Sequence, residues 1–130
     1  VTTRWQWRAR LAAADATALC GAWTISLSDS GELLGSVLLK ELPDAAGLPL
    51  SGDVEIGWHL HPDAWGHGYA TEAAAGAISR GFAAGLDEIF AVTYAANTSS
   101  QAVCRRLAMT YLGPTDKYYG ITCELFRLTR

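Results

Sequence analysis

A chain of 130 residues with 50% hydrophobic and 18% charged residues can bury a core of its own and falls outside the disordered class. Its net charge of −3 lacks the basic surplus that displaces counterions from phosphate, so no nucleic-acid partner is expected. No apolar run is long enough to span a bilayer and no charged-then-apolar start marks a secretory signal, so the expectation is no membrane partner and a cytoplasmic location.

In chain order, residues 1–16 are helix-compatible, with Trp5, Ala9 and Ala12 or Ala13 at turn spacing and Arg4, Arg8 and Arg10 on a solvated face. Trp23 to Leu27 and Leu33 to Leu39 read as strands of a hairpin, because Asp29 and Gly31 supply turn chemistry between apolar runs. Leu42 to Gly52, with two prolines and two glycines, is a loop, and Asp53 to Leu60 is the next strand. Thr71 to Ala84 predicts a helix with Ala74, Ile78 and Phe82 on one face and Gly85 as its stop. Glu88 to Tyr94 is a strand, followed by a turn at Asn97 and a helix from Ser99 to Leu107 that carries Arg105 and Arg106 on a solvated face. Two last strands, Met109 to Leu112 and Thr122 to Leu128, flank a turn at Gly113-Pro114-Thr115-Asp116. Hairpins around strand-helix alternation predict one α/β domain over 1–130 with a mixed sheet.

Cys20, Cys104 and Cys123 are odd in number and share no C-x-x-C spacing, so they read as reduced thiols rather than a disulfide framework or a zinc site. His59 and His61 alternate along a strand without a third ligand at a recognisable spacing, and no metal is expected.

The stretch from Pro62 to Ala73, PDAWGHGYATEA, carries the strongest signal. Here a strand pattern passes through a glycine-punctuated loop into a helix pattern. Gly66 and Gly68 permit a tight turn and close backbone approach, and the free N–H groups of a helix start face any bound anion, which suits a pyrophosphate.

With the strand DVEIGWHL before that loop and NTSSQAVCRRLAM some thirty residues after it, the chain from about Trp23 to Arg130 resembles the GNAT superfamily of acyl-CoA-dependent N-acetyltransferases. The likeness is to the branch of the ribosomal-protein-alanine N-acetyltransferases (RimJ/RimL-like). It implies a mixed, mostly antiparallel central sheet flanked by helices. The family carries a further strand and helix before this point, so the expectation is an N-terminally incomplete domain whose sheet lacks an edge strand. Trp65 stands where many members have Gln or Arg, and Ala108-Met109 replaces the usual Gly-Phe.

The resemblance also implies acetyl-CoA as co-substrate and direct transfer to a primary amine in a ternary complex. Trp58, His59 and Leu60 would pair with the pantetheine arm; Gly66, His67, Gly68, Tyr69, Ala70 and Thr71 would hold the pyrophosphate, with Asn97 beside them. Glu55 is the first candidate for general base, ahead of Glu41 and His59. Ser100 matches the motif serine and is the candidate acid, or else a helix cap, while Cys104 occupies the place where many members have Tyr. The acceptor is a protein N-terminus or a small-molecule amine. A non-catalytic acyl-CoA-binding domain and an interaction module with an empty glycine loop are the alternatives, and the resemblance leaves a homodimer open.

Overall fold

The computed structural model describes residues 3–8, 21–27, 30–48 and 51–130. Seven strands, β1 (Thr3–Arg8), β2 (Gly21–Leu27), β3 (Leu33–Glu41), β4 (Val54–Leu60), β5 (Glu88–Thr93), β6 (Thr110–Thr115) and β7 (Cys123–Thr129), form one sheet in the order β1-β2-β3-β4-β5-β7-β6. Every neighbouring pair is antiparallel except β4 and β5. A parallel pair needs a crossover, and α1 (Tyr69–Ala83) supplies it. The second helix, α2 (Thr98–Arg106), joins β5 to β6. This is the mixed, mostly antiparallel α/β sheet expected.

Both helices contribute to one core. Ala73, Ala74, Ala77 and Ile78 of α1 and Cys104 of α2 pack with Ile25, Val37, Leu39, Ile56, Ile89 and Phe126 of the sheet. The helix is alanine-rich on this face because the sheet lies close: a Cβ on Gly81 would come within 3.2 Å of Leu39 and Ile89 side chains. Gly85, at φ 114, ends α1, with Leu86 N–H donating to the Gly81 carbonyl and Gly85 N–H to that of Phe82, the bonds of a Schellman motif. A smaller cluster, Leu42, Phe90 and Tyr118, closes the opposite face.

Three local expectations change. Thr3–Arg8, read as part of a helix, is a strand paired with β2, so the edge expected to be bare carries β1; Trp5 and Trp7 alternate with polar residues, a two-residue period the helical reading passed over. Residues 9–16 of that expected helix lie outside the described residues. Gly113 and Pro114 belong to β6 rather than to a turn, which follows from its place at the sheet edge, where a missing N–H costs no ladder bond. The ladder shifts register between Tyr111 and Gly113, and the connection moves to residues 116–122. Finally, β4 ends at Leu60, so His61 is no longer on the strand: it caps a 3₁₀ turn at Pro62–Ala64, its Nδ1 accepting from Asp63 N–H at 3.2 Å.

The end of β4 is held by an unusually close backbone approach. A Cβ on Gly35 would lie 2.0 Å from the His59 carbonyl oxygen and 2.8 Å from the Leu60 Cα. Gly35→Ala therefore forces β3 from β4 with no side-chain rotation to relieve the clash, and should cost about 2–3 kcal/mol, several degrees in Tm. Gly31→Ala meets open space and should lose only about 1 kcal/mol from its left-handed backbone. Thermal unfolding followed by circular dichroism checks both; equal melting of Gly35→Ala and the parent would contradict this strand register.

Candidate active site

The parallel strands β4 and β5 pair at one position, Glu55 with Phe90. Beyond it they diverge, while β4 stays paired with β3 along its whole length. The divergence opens a notch through the sheet. A cleft of about 780 Å³ lies on the helical side, lined by the end of β4, the glycine loop, the start of α1 and one face of α2. A second, of about 480 Å³, fills the notch between β4 and β5, and a shallow groove of about 230 Å³ runs over β3 and β4. Trp58, Asn97 and Ser100 line both larger clefts, and Glu55, Gly57, Trp58 and Tyr119 join the second to the groove.

The first cleft gathers Trp58, His59, Leu60, Gly66, Gly68, Tyr69, Ala70, Thr71 and Asn97. His67 stays outside its lining and stacks on Tyr69, ring centroids 5.3 Å apart. Gly66 and Gly68 take φ of 84 and 80, left-handed values that a side chain resists. Gly68 is the N-cap of α1 and, being glycine, brings no side-chain acceptor of its own to the first-turn N–H groups. Thr71 Oγ1, in the same turn, is buried with no hydrogen-bond partner among the described residues. Trp65 folds its indole N–H onto the Leu60 carbonyl at 3.2 Å and so pins the loop to the end of β4. Arg106, read in sequence as solvated, is the one Lys, Arg, Asp or Glu in the described lining.

On α2, Asn97 is the N-cap, its Oδ1 accepting from Ser100 N–H at 3.2 Å. Ser100 itself does not make the cap. Its Oγ accepts from the Trp58 indole N–H at 3.3 Å, which leaves the hydroxyl proton free to serve another acceptor. Cys104 is fully buried in the core and lines neither cleft; burial pushes its thiol up to about 12.

Glu55 is 6% exposed, on the face of β4 opposite Ile56. Burial pushes its carboxyl above the ordinary value, opposed by a hydrogen bond from Tyr119 Oη and by the Lys40 ammonium at 3.7 Å. Glu41 lines none of these clefts; its Oε2 accepts from Gly52 N–H at 3.0 Å and holds the 42–53 loop. His59 is exposed and lines the first cleft and the groove. Thr93, 7% exposed, lines the second cleft, its Oγ1 buried with no hydrogen-bond partner among the described residues.

Sequence reading missed Tyr119. It comes from the β6–β7 connection, 64 residues from Glu55, and takes φ 61, a left-handed conformation costing an aromatic residue about 1–3 kcal/mol. The pair Tyr119-Gly120, both at positive φ between Tyr118 and Ile121, is a primed-turn pattern that local sequence did not announce.

Residues 1–110 match the acetyltransferase (GNAT) domain family. YoaA, an uncharacterized N-acetyltransferase of Bacillus subtilis (strain 168), is 29% identical over 97 residues, 74% of this chain and 52% of that protein. Among solved structures, an acetyltransferase from Agrobacterium tumefaciens str. C58 superposes with a TM-score of 0.70 at 24% identity, covering 85% of this chain and 61% of the other. RimL, a ribosomal L7/L12 alpha-N-protein acetyltransferase in complex with coenzyme A, gives 0.66 at 16% identity, covering 85% and 62%. The chain thus spans about half the length of YoaA and under two-thirds of these two structures. With a family match over most of its residues and a sheet that divides between β4 and β5, the chain belongs to the acetyltransferase (GNAT) domain family.

Proposed function

We propose that this chain is the catalytic domain of an acetyl-CoA-dependent N-acetyltransferase that transfers acetyl directly to a primary amine in a ternary complex. The observation that carries this reading is the notch: a helix start with no side-chain cap at one mouth and a buried carboxylate at the other. Acetyl-CoA, when bound, supplies an acyl group activated as a thioester. The residues of the first cleft fit its anionic end. First-turn N–H groups and the orphaned Thr71 hydroxyl offer donors to a pyrophosphate, and Arg106 adds a positive charge that Trp65 does not. The β4 backbone at Trp58, His59 and Leu60 borders the path from that end to the notch.

Glu55 takes a proton from the acceptor nitrogen as the N–C bond to the acyl carbon forms. Ser100 gives its free hydroxyl proton to the sulfur as the C–S bond breaks, and the proton on Glu55 returns to Ser100 through solvent. Burial suits Glu55 to this work, because a carboxylate with a raised pKa is a stronger base nearer to neutral pH. Glu41 is committed to the backbone of its own loop, which favours Glu55 over it.

For the acceptor we infer a protein N-terminus. The groove over β3 and β4 is shallow, open and continuous with Glu55, a shape that admits an extended chain end, and RimL by its name acts on such an amine. A cytoplasmic location accords with reduced, buried Cys104 and Cys123. Among the described residues no helix is long and apolar enough to cross a membrane and no cluster of three His, Cys, Asp or Glu could hold a metal.

Acetyl-CoA at about 100 times its Kd should stabilise the protein by roughly 2.7 kcal/mol, a rise of several degrees in Tm. Gly68→Val should lose that rise, since a branched side chain at φ 80 both strains the loop and fills the anion path. An unaltered ligand shift in Gly68→Val, seen alongside a normal unliganded melt, would place the coenzyme elsewhere.

Glu55→Gln should lower kcat/KM about tenfold or more at pH 7, with partial recovery at higher pH as the amine deprotonates unaided, while acetyl-CoA affinity stays nearly constant. Glu41→Gln should keep its activity. The same Glu55→Gln change should raise stability. The unfolded chain ionises this carboxyl near 4.5 and the folded chain only at higher pH, so the ionised form costs folding free energy at neutral pH and nothing below pH 4.5. A Tm gain at pH 7 that shrinks on acidification is the expected result; a Tm loss at pH 7 would contradict the burial argument.

Steady-state turnover of peptides differing in their first residue, compared with polyamines, aminoglycosides and amino acids, tests the acceptor. Peptides should lead by about tenfold or more in kcat/KM. Turnover of a small amine alone would leave the transferase reading standing and remove the N-terminal acceptor.

A further inference from the structure

The connection from β6 to β7 is anchored far more firmly than a passing loop requires. Tyr118 is 2% exposed; its hydroxyl donates to Asp53 Oδ2 at 2.6 Å, and Lys117 Nζ reaches the same oxygen at 3.1 Å. Tyr118 also bridges to Asp44, and a Cβ on Gly120 would lie 2.9 Å from the Ala45 carbonyl, so the loop is seated directly on the 42–53 segment. Between these fixed points Tyr119 adopts its left-handed backbone and directs its phenol at Glu55 Oε2. Strain of this kind persists only where the surroundings impose it.

We propose that Tyr119 is a positioning residue for acyl transfer: held by the anchored loop, it clamps one oxygen of the Glu55 carboxylate so that the other faces the acceptor amine in its ionised form. The proposal rests on the reading of Glu55 as the base. Tyr119 lines both the second cleft and the groove, so the clamp stands where the two meet. Its phenol is pushed above its usual range, by burial first and then by the bond to Glu55, and stays a donor at every pH at which the carboxylate is a base. A donated hydrogen bond favours the ionised carboxylate against the burial that disfavours it.

The other groups around Glu55 each have a definite part. Lys40 of β3, 3.7 Å away with its ammonium 5.3 Å from the Tyr119 ring centroid, also favours the charged form. From β7, the Cys123 thiol is raised by burial and by Glu55 and stays neutral. Tyr94 at the end of β5 bears on Tyr119, His59 lies four residues along β4, and Asp53 is already paired with Lys117 and Tyr118. Of the groups around this carboxylate, the Tyr119 phenol makes the close hydrogen bond, while the Lys40 ammonium stands 3.7 Å off.

The test is a carboxyl-carbon NMR titration of Glu55, its signal identified by loss in Glu55→Gln, in the full chain with and without Tyr119→Phe. Removing the phenol should move the Glu55 midpoint upward by about one pH unit. The acid limb of kcat/KM, measured with acetyl-CoA and the acceptor that leads the amine screen, should move with it, while acetyl-CoA affinity holds. Should Tyr119→Phe fold poorly, Tyr119→Asn suits a left-handed backbone, lacks the phenol and should shift the midpoint in the same direction. An unmoved or lowered midpoint overturns the clamp alone. A midpoint that rises while the rate profile stays put overturns Glu55 as the base, and the positioning role with it.

Discussion

Everything that makes this sheet more than a scaffold follows from one broken pairing. β4 and β5 meet at Glu55 and Phe90 and then part, although each keeps its other neighbour. Two strands running in parallel are joined through a helix, and the helix start must sit beyond the end of the first strand. The divergence therefore sets a helix N-terminus beside a gap in the same sheet. The clefts on either side are two mouths of that gap, and Trp58, whose indole reaches Ser100, is the wall between them. Gly35 protects the arrangement from behind by letting β3 lie against the last residues of β4.

With Glu55 read as the base, the carboxylate at the gap is a compromise between folding and reactivity. A charged Glu55 in a nearly dry position opposes folding at neutral pH, and Tyr119 and Lys40 reduce that opposition without abolishing it. A hydrophobic residue there would pack better and do nothing. The left-handed tyrosine is a second local cost beside the first, and on the same reading the two costs in contact belong to the reactive site.

Local signals made much of this legible in the sequence, and nonlocal ones hid the rest. The glycine loop, the α1 repeat and the Asn97 turn are each written within a few neighbouring residues, so the family resemblance had local motifs on which to set most of the residues that line the first cleft. The single β4–β5 pair was not legible, because no residue pattern encodes a strand's departure from its neighbour. Tyr119 stayed invisible because its conformation comes from contacts with Asp44, Ala45 and Asp53, some 65 to 75 positions earlier in the chain. Pro114 misled for a related reason: proline reads as a turn until the sheet order shows that its strand has no outer neighbour. Arg106 read as solvated because nothing near it in sequence says which face of α2 looks across at the glycine loop.

The cap on α2 has a chemical consequence at the junction of the two clefts. Asn97 gives one acceptor site of its side-chain oxygen to Ser100 N–H, and its amide N–H₂ group is left as a donor to meet a ligand. Aspartate would close the helix equally well, yet it would turn the same spot from a hydrogen-bond donor into a negative charge facing a cleft that we read as receiving an anion. Serine would also close it, but its remaining hydroxyl donor sits closer to the helix end and reaches less far. Among the good capping side chains, asparagine carries a neutral donor farthest from the helix end, so on our reading of the cleft the residue that closes α2 also serves the ligand passing in front of it.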